Sequence, residues 1–141
     1  MKEILVKKIN SSLWWHVPPQ DRNAYKKRGK FLASSFRQAE FYGRPKDVPE
    51  KVSISNLLYG FSEMEIMKTL FPNEYKDLHK SVTNDDHDRE WYKQRIELDA
   101  KIYKRARKMG YDAIALLTPN ARKRLEKNRK PHSIELNLLS V

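Results

Sequence analysis

A long helical pattern that stops at a glycine and passes at once into an unbroken apolar run limits the fold more than any other stretch. From Asp85 to Met109, Tyr92, Ile96, Tyr103, Ala106 and Met109 recur on one broad side, flanked by Trp91, Leu98 and Ile102. Acids gather at its start (Asp85, Asp86, Asp88, Glu90) and bases at its end (Lys101, Lys104, Arg105, Arg107, Lys108). That order complements a helix dipole, so the basic end has a structural reason and is not read as a nucleic-acid patch. Gly110 is placed to end the helix, and Ala113-Ile-Ala-Leu-Leu117 follows as a strand whose continuous apolar character requires burial. A helix feeding a buried strand calls for a domain in which helices pack on a sheet.

The rest of the chain supplies the other layers. Ile4-Leu5-Val6 and Leu13–Val17 read as strands, the second ended by Pro18-Pro19, with His16 at its exit before a polar loop. A histidine beside two tryptophans suits a packed, hydrogen-bonded structural residue as well as a side chain presented to a cleft. After the apolar run Phe31-Leu32-Ala33, Ser34 or Ser35 is an N-cap for a short helix through Tyr42, stopped by Gly43 and Pro45. Val52–Leu58 reads as a further strand. Ser62, with Glu65 three residues on, forms a capping box for a helix that Pro72 ends. The polar stretch 73–84 is a loop or short helix and the expected insertion. Downstream, Arg122, Lys123, Arg124, Lys127, Arg129 and Lys130 surround Glu126, either as a solvated loop or as an attractor for an anion. Finally Ile134, Leu136 and Leu138 alternate with Ser133, Glu135 and Asn137, the pattern of a half-buried strand. Glu135 is thus held on a rigid element, either as a surface acid or as a catalytic carboxylate.

With 141 residues the chain fits one domain, 1–141, long enough to bury a core. It contains no cysteine, which excludes disulfides, thiolate zinc sites and cysteine nucleophiles. No apolar run approaches membrane-spanning length and the first residues are too soon broken for a signal peptide, so a cytoplasmic protein is expected. A net charge of +11 favours a polyanionic partner or an acidic protein surface. Phosphate-loop, dinucleotide-loop, zinc-protease and serine-hydrolase motifs are missing, and His16, His79, His87 and His132 lack metal-ligand spacing.

One ordered set of segments remains: a strand ending in His16, then Gly29-Lys-Phe-Leu-Ala-Ser-Ser-Phe-Arg-Gln-Ala-Glu-Phe-Tyr-Gly43, then Met109-Gly-Tyr-Asp-Ala-Ile-Ala-Leu116, then Ile134-Glu-Leu. Together these resemble the small ADP-ribosyltransferase fold of the His-Tyr-Glu type, and most closely the ADP-ribosyltransferase-type anti-CRISPR proteins of phages. The resemblance implies a single α+β domain with a split antiparallel or mixed β-sheet core and flanking helices. It implies NAD as co-substrate, with Glu135 as the catalytic acid that steadies an oxocarbenium-like state. By the same match His16 would hydrogen-bond an NAD ribose, Tyr42 would stack on nicotinamide, and Ser34 and Ser35 would support the site. Arg122, Lys123 and Arg124 are assigned, from charge alone, to the pyrophosphate or an acidic acceptor. The partner so implied is a macromolecule, protein before nucleic acid, such as a host transcription or defence protein in the host cytoplasm. Many members that modify arginine or asparagine carry Glu or Gln two positions before the catalytic acid; here Ser133 stands there. The rival reading is a non-enzymatic basic binding protein, a phage factor gripping host transcription machinery or nucleic acid, with the Arg122–Lys130 stretch carrying function.

Overall fold

Leu5 and Ile9 stand one helical turn apart, and both are fully buried. They anchor α1 (Lys2–Asn10), a helix where Ile4-Leu5-Val6 had suggested a strand. The two β-branched residues favour a strand locally, but the i, i+4 apolar pair with lysines between favours a helix, and packing decides. The computed structural model describes residues 1–83 and 88–140. Asp85 and Asp86, read above as part of the helix start, and His87 lie outside the described residues.

After α1 come β1 (Trp15–His16), α2 (Ala24–Arg28), β2 (Lys30–Ala33), α3 (Phe36–Ala39) and a 3-10 turn, Glu40–Tyr42. Then follow β3 (Leu57–Gly60), α4 (Glu63–Leu70), α5 (Tyr75–Lys80), α6 (Arg89–Lys108), β4 (Ala113–Leu117), α7 (Ala121–Glu126) and β5 (Ile134–Leu138). The chain is an α+β domain whose five strands lie in the order β1-β2-β5-β4-β3. Among the described residues only β3 and β4 run parallel, joined through α4, α5 and α6; the other neighbours are antiparallel. The sheet is continuous rather than split, because β5 is paired along its length with β2 on one side and β4 on the other.

Other expectations shift in their boundaries. The strand expected over Val52–Leu58 begins only at Leu57, because the Asn10 amide takes the ladder's place upstream. Asn10 accepts from the Ile54 N–H (2.8 Å) and donates to its carbonyl (3.0 Å). The basic stretch expected as a loop forms α7, since Ala121 and Leu125 fall on one side and are buried. Ser62 caps α4 as expected, accepting from the Glu65 N–H, while the Glu65 carboxylate reaches past the cap to the Phe61 N–H (2.8 Å).

Each sheet face has its own core. One buries Leu32, Ala115, Ile134 and Leu136 under α1 and α7, together with Trp14, whose indole N–H donates to the Ile9 carbonyl at 3.0 Å. The other buries Leu58 and Ile114 under α4 and α6, with Met67, Leu98 and Ile102 between them. Glu135 belongs to this second face.

Candidate active site

Strand alternation decides which side chains can meet. Cross-strand partners share a face, so the register places Trp15, Ala33, Glu135, Leu116 and Gly60 in one row across the second face. The adjacent row, His16, Leu32, Leu136, Ala115 and Tyr59, points to the opposite face. Glu135 and His16 are therefore on different sides of the sheet.

Glu135 sits at the end of the sheet where β2, β3 and β4 finish, between the apolar neighbours Ala33 and Leu116. The helix after β2 folds back over this row. Ser35 starts α3 by accepting from the Gln38 N–H at 3.1 Å, and the Phe36 and Trp15 rings meet at right angles with centroids 5.1 Å apart. The 3-10 turn then delivers Tyr42, whose hydroxyl donates to the Glu135 carboxylate. Gly43 closes the turn at φ +141, and an added Cβ would come within 3.0 Å of Val17 Cγ1. Both conditions favour glycine after Tyr42.

Ser34 and Gln38 fix the strand from which Glu135 projects. Ser34 Oγ accepts from the Ile134 N–H (3.1 Å) and donates to Gln38 Oε1 (2.6 Å), while Gln38 Nε2 donates to the Ile134 carbonyl (3.1 Å). Both backbone groups of the residue before Glu135 are thereby held beyond the end of the β2 ladder. Gln38 is a residue sequence reasoning missed. Its position three residues after the Ser35 cap was the available signal, being the same spacing as Ser62 and Glu65.

Tyr42 is 64% exposed, yet its hydroxyl end lies against the sheet. Loss of water around that end, then the hydrogen bond to Glu135 and the charge of its carboxylate, push the Tyr42 phenol well above its usual range. It remains a donor throughout physiological pH. Arg95 of α6 is near enough for its charge to act against that rise. Arg95 itself is clamped by both Glu63 oxygens (2.8 and 2.5 Å) and by Asp99 (2.6 Å), at the start of α4. Among the described residues, no cation forms an ion pair with Glu135. The carboxylate is held by a neutral donor.

The remaining candidate residues lie elsewhere. His16 is buried and fully bonded: Nδ1 lies 2.8 Å from the Phe31 carbonyl and Nε2 2.7 Å from the Tyr25 hydroxyl. A carbonyl only accepts, so the Nδ1 carries the proton and Tyr25 donates to Nε2. Burial lowers its pKa, which keeps the ring neutral. Arg122, Lys123 and Arg124 are on α7, whose buried side packs against the face opposite Glu135. Arg122 lies 4.3 Å over the Phe61 ring, Arg124 donates to the Lys130 carbonyl at 2.8 Å, and Lys130 lies over Trp14. Much of this basic stretch thus packs the fold together. Ser133 is on the Glu135 side by alternation, two positions before it, and offers no second carboxylate or amide there.

Two surface hollows, of about 440 and 420 Å3, are lined by α1 residues with Asn128 and by α5 with α6; neither reaches Tyr42 or Glu135. Tyr42, largely exposed, and the half-buried Glu135 form a shelf at the end of the sheet. Among the described residues, no group of three histidine or carboxylate side chains is placed to hold a metal ion, and no helix is long and apolar enough to cross a membrane. Compared with known proteins, the chain matches no family model, no curated protein and no solved structure.

Proposed function

We propose that the chain is a mono-ADP-ribosyltransferase-like protein that uses NAD to modify a macromolecule, with Glu135 and Tyr42 as its catalytic pair. The observation that carries this reading is the Tyr42–Glu135 hydrogen bond on the second sheet face, joining a helix-borne tyrosine to a strand-borne carboxylate far away in sequence. NAD supplies an ADP-ribosyl group: its ribose C1′ bond to nicotinamide breaks, and nicotinamide leaves neutral with the bonding electron pair.

The chain's residues suit such a substrate in two respects. A carboxylate without an ion-pair partner, fixed by its strand and by the Tyr42 hydroxyl, places negative charge where positive charge develops on the sugar. The same carboxylate can accept the proton that the acceptor nucleophile gives up. The exposed Tyr42 ring, held at its hydroxyl end, leaves a face on which a planar cationic ring can stack. His16 does not join this pair; it acts as a positioning residue that ties β1 to Phe31 on β2 and to Tyr25.

The test is label transfer. Wild-type protein incubated with adenylate-labelled NAD and a cell lysate should label an acceptor, and Glu135→Gln should not. Absence of both label transfer and NAD binding in the folded wild-type protein would refute the reading. The alternative is a non-enzymatic basic binding protein acting through the Arg122–Lys130 stretch, in which Lys123, Lys127 and Arg129 are exposed.

A further inference from the structure

The outer side of α1 and α7 forms a basic surface that the proposed chemistry does not use. Both helices cover the sheet face opposite Glu135, burying Leu5 and Ile9 on α1 and Ala121 and Leu125 on α7. Along α1 and its C-cap, Ile4, Lys7, Lys8 and Ser11 follow the i, i+3, i+4, i+7 spacing of one helical stripe. That stripe and Asn128 line a single hollow of about 440 Å3, which joins α1 to the chain leaving α7. Asn128 takes φ 56 there, a conformation that asparagine tolerates, between Lys127 and Arg129. Helical spacing sets Lys123 one turn before Lys127, on the side of α7 away from Ala121 and Leu125.

The charge on this surface is mostly of one sign. Lys7, Lys123, Lys127 and Arg129 are exposed, and Lys8 is half-buried at the hollow. Among the described residues, none of these five side chains forms an ion pair. The acids within α1 and residues 121–130 are Glu3 and Glu126, so cations outnumber them even before Arg122, Arg124 and Lys130 are counted. Neither segment carries an exposed large hydrophobic side chain. A protein partner is held by aromatic or aliphatic anchors at the interface core, and a single strand by rings on which its bases stack. Lysines and an arginine around a hollow, with no such anchor, fit a partner met only through a regular array of phosphates.

We infer that the α1–α7 surface binds the phosphate backbone of double-stranded nucleic acid without reading its sequence. Lys7 and Lys8 on one helix, and Lys123, Lys127 and Arg129 on and after the other, contact phosphates on either side of the hollow. The Asn128 amide, which lines the hollow, can donate to a phosphate oxygen. The surface lies on the far side of the sheet from Glu135, so a bound duplex leaves the Tyr42–Glu135 shelf uncovered. Binding there requires neither NAD nor catalysis.

The experiment measures fluorescence anisotropy of labelled DNA and RNA duplexes, each in two unrelated sequences, across a salt series. Both sequences should bind alike and more tightly than the corresponding single strands, with affinity falling as salt rises. Binding of either duplex upholds the inference, and the tighter of the two identifies the helix preferred. Lys7→Ala and Lys127→Ala should each weaken binding and flatten the slope of log affinity against log salt by about one, and the double variant by about two. Their melting temperatures should stay unchanged, because both side chains are exposed. Lys104→Ala removes the same charge from an exposed position on α6, which packs on the other sheet face, and should leave the slope as in wild type. No binding at low salt, tighter binding of single strands, or equal flattening by Lys104→Ala overturns the inference. Competition by polyglutamate as strong as that of unlabelled duplex of equal charge also overturns it, marking an acidic-protein surface instead.

Discussion

Tyr42 and Glu135, 93 residues apart in sequence, meet through a hydrogen bond in which the tyrosine hydroxyl donates to the carboxylate. The strand fixes one partner, and a helical turn ended by a glycine fixes the other. Ser34 and Gln38 hold the backbone just before Glu135. Tyr42→Phe should keep the stacking face and lose the donor, reducing turnover roughly tenfold, the cost of about one hydrogen bond to an ion. Tyr42→Ala should lose both functions and fall further. Steady-state kinetics with the two variants separates the roles, since only Tyr42→Ala should also raise KM for NAD.

Gly29 stands at φ +85, and an added Cβ would lie 2.2 Å from Asn137 Oδ1 and 2.7 Å from the Leu138 carbonyl. Asn137 in turn donates to the Arg28 carbonyl at 2.9 Å, so the β2–β5 pairing begins at this contact. Gly29→Ala should destabilise the protein by about 3 kcal/mol or more, from strain and overpacking together. Urea denaturation followed by tryptophan fluorescence checks this.

His16 titrates below its ordinary value of 6.5 because of burial. Well above pH 6.5 the ring is neutral in both folded and unfolded chains and makes stability no steeper with pH. As pH falls from there, the unfolded chain takes up the proton first, so stability falls until the folded ring is protonated as well. Wild type should lose stability over that acidic window. His16→Gln should lower stability at neutral pH and remove this part of the slope, as measured by melting temperature from pH 7.5 to 5.

Arg95 bridges Glu63 on α4 and Asp99 on its own helix, with all three side chains mostly buried. Burial raises the Asp99 pKa, opposed by Arg95. Arg95→Met leaves two carboxylates facing each other and should cost about 2–3 kcal/mol, somewhat less than a fully buried pair. Adding Glu63→Gln should recover part of that loss; a double-mutant cycle by chemical denaturation measures it.

Much of this was legible in the residues. Ala113–Leu117 is a strand with the expected bounds, and the alternating stretch from Ser133 is a strand over Ile134–Leu138, because continuous and alternating apolar patterns leave no competing period. The cap at Ser62 was equally plain. Local preference failed at Ile4-Leu5-Val6, where packing of Leu5 and Ile9 made a helix. The candidate site was legible in part. Glu135 and Tyr42 were singled out and are brought together, but that His16 faces the other side follows only from a register no single segment encodes. Arg122 and Arg124 read as free charge because their partners, Phe61 and the Lys130 carbonyl, are defined only once α7 packs.

The central claim is that the Tyr42–Glu135 shelf cleaves the bond between nicotinamide and ribose. Release of nicotinamide from NAD by the purified protein, followed by mass spectrometry, tests it most directly. The account predicts release by wild type and a loss of about a hundredfold or more in Glu135→Gln at unchanged melting temperature. Equal release by both proteins, or none from a wild-type protein shown to be folded, would contradict it.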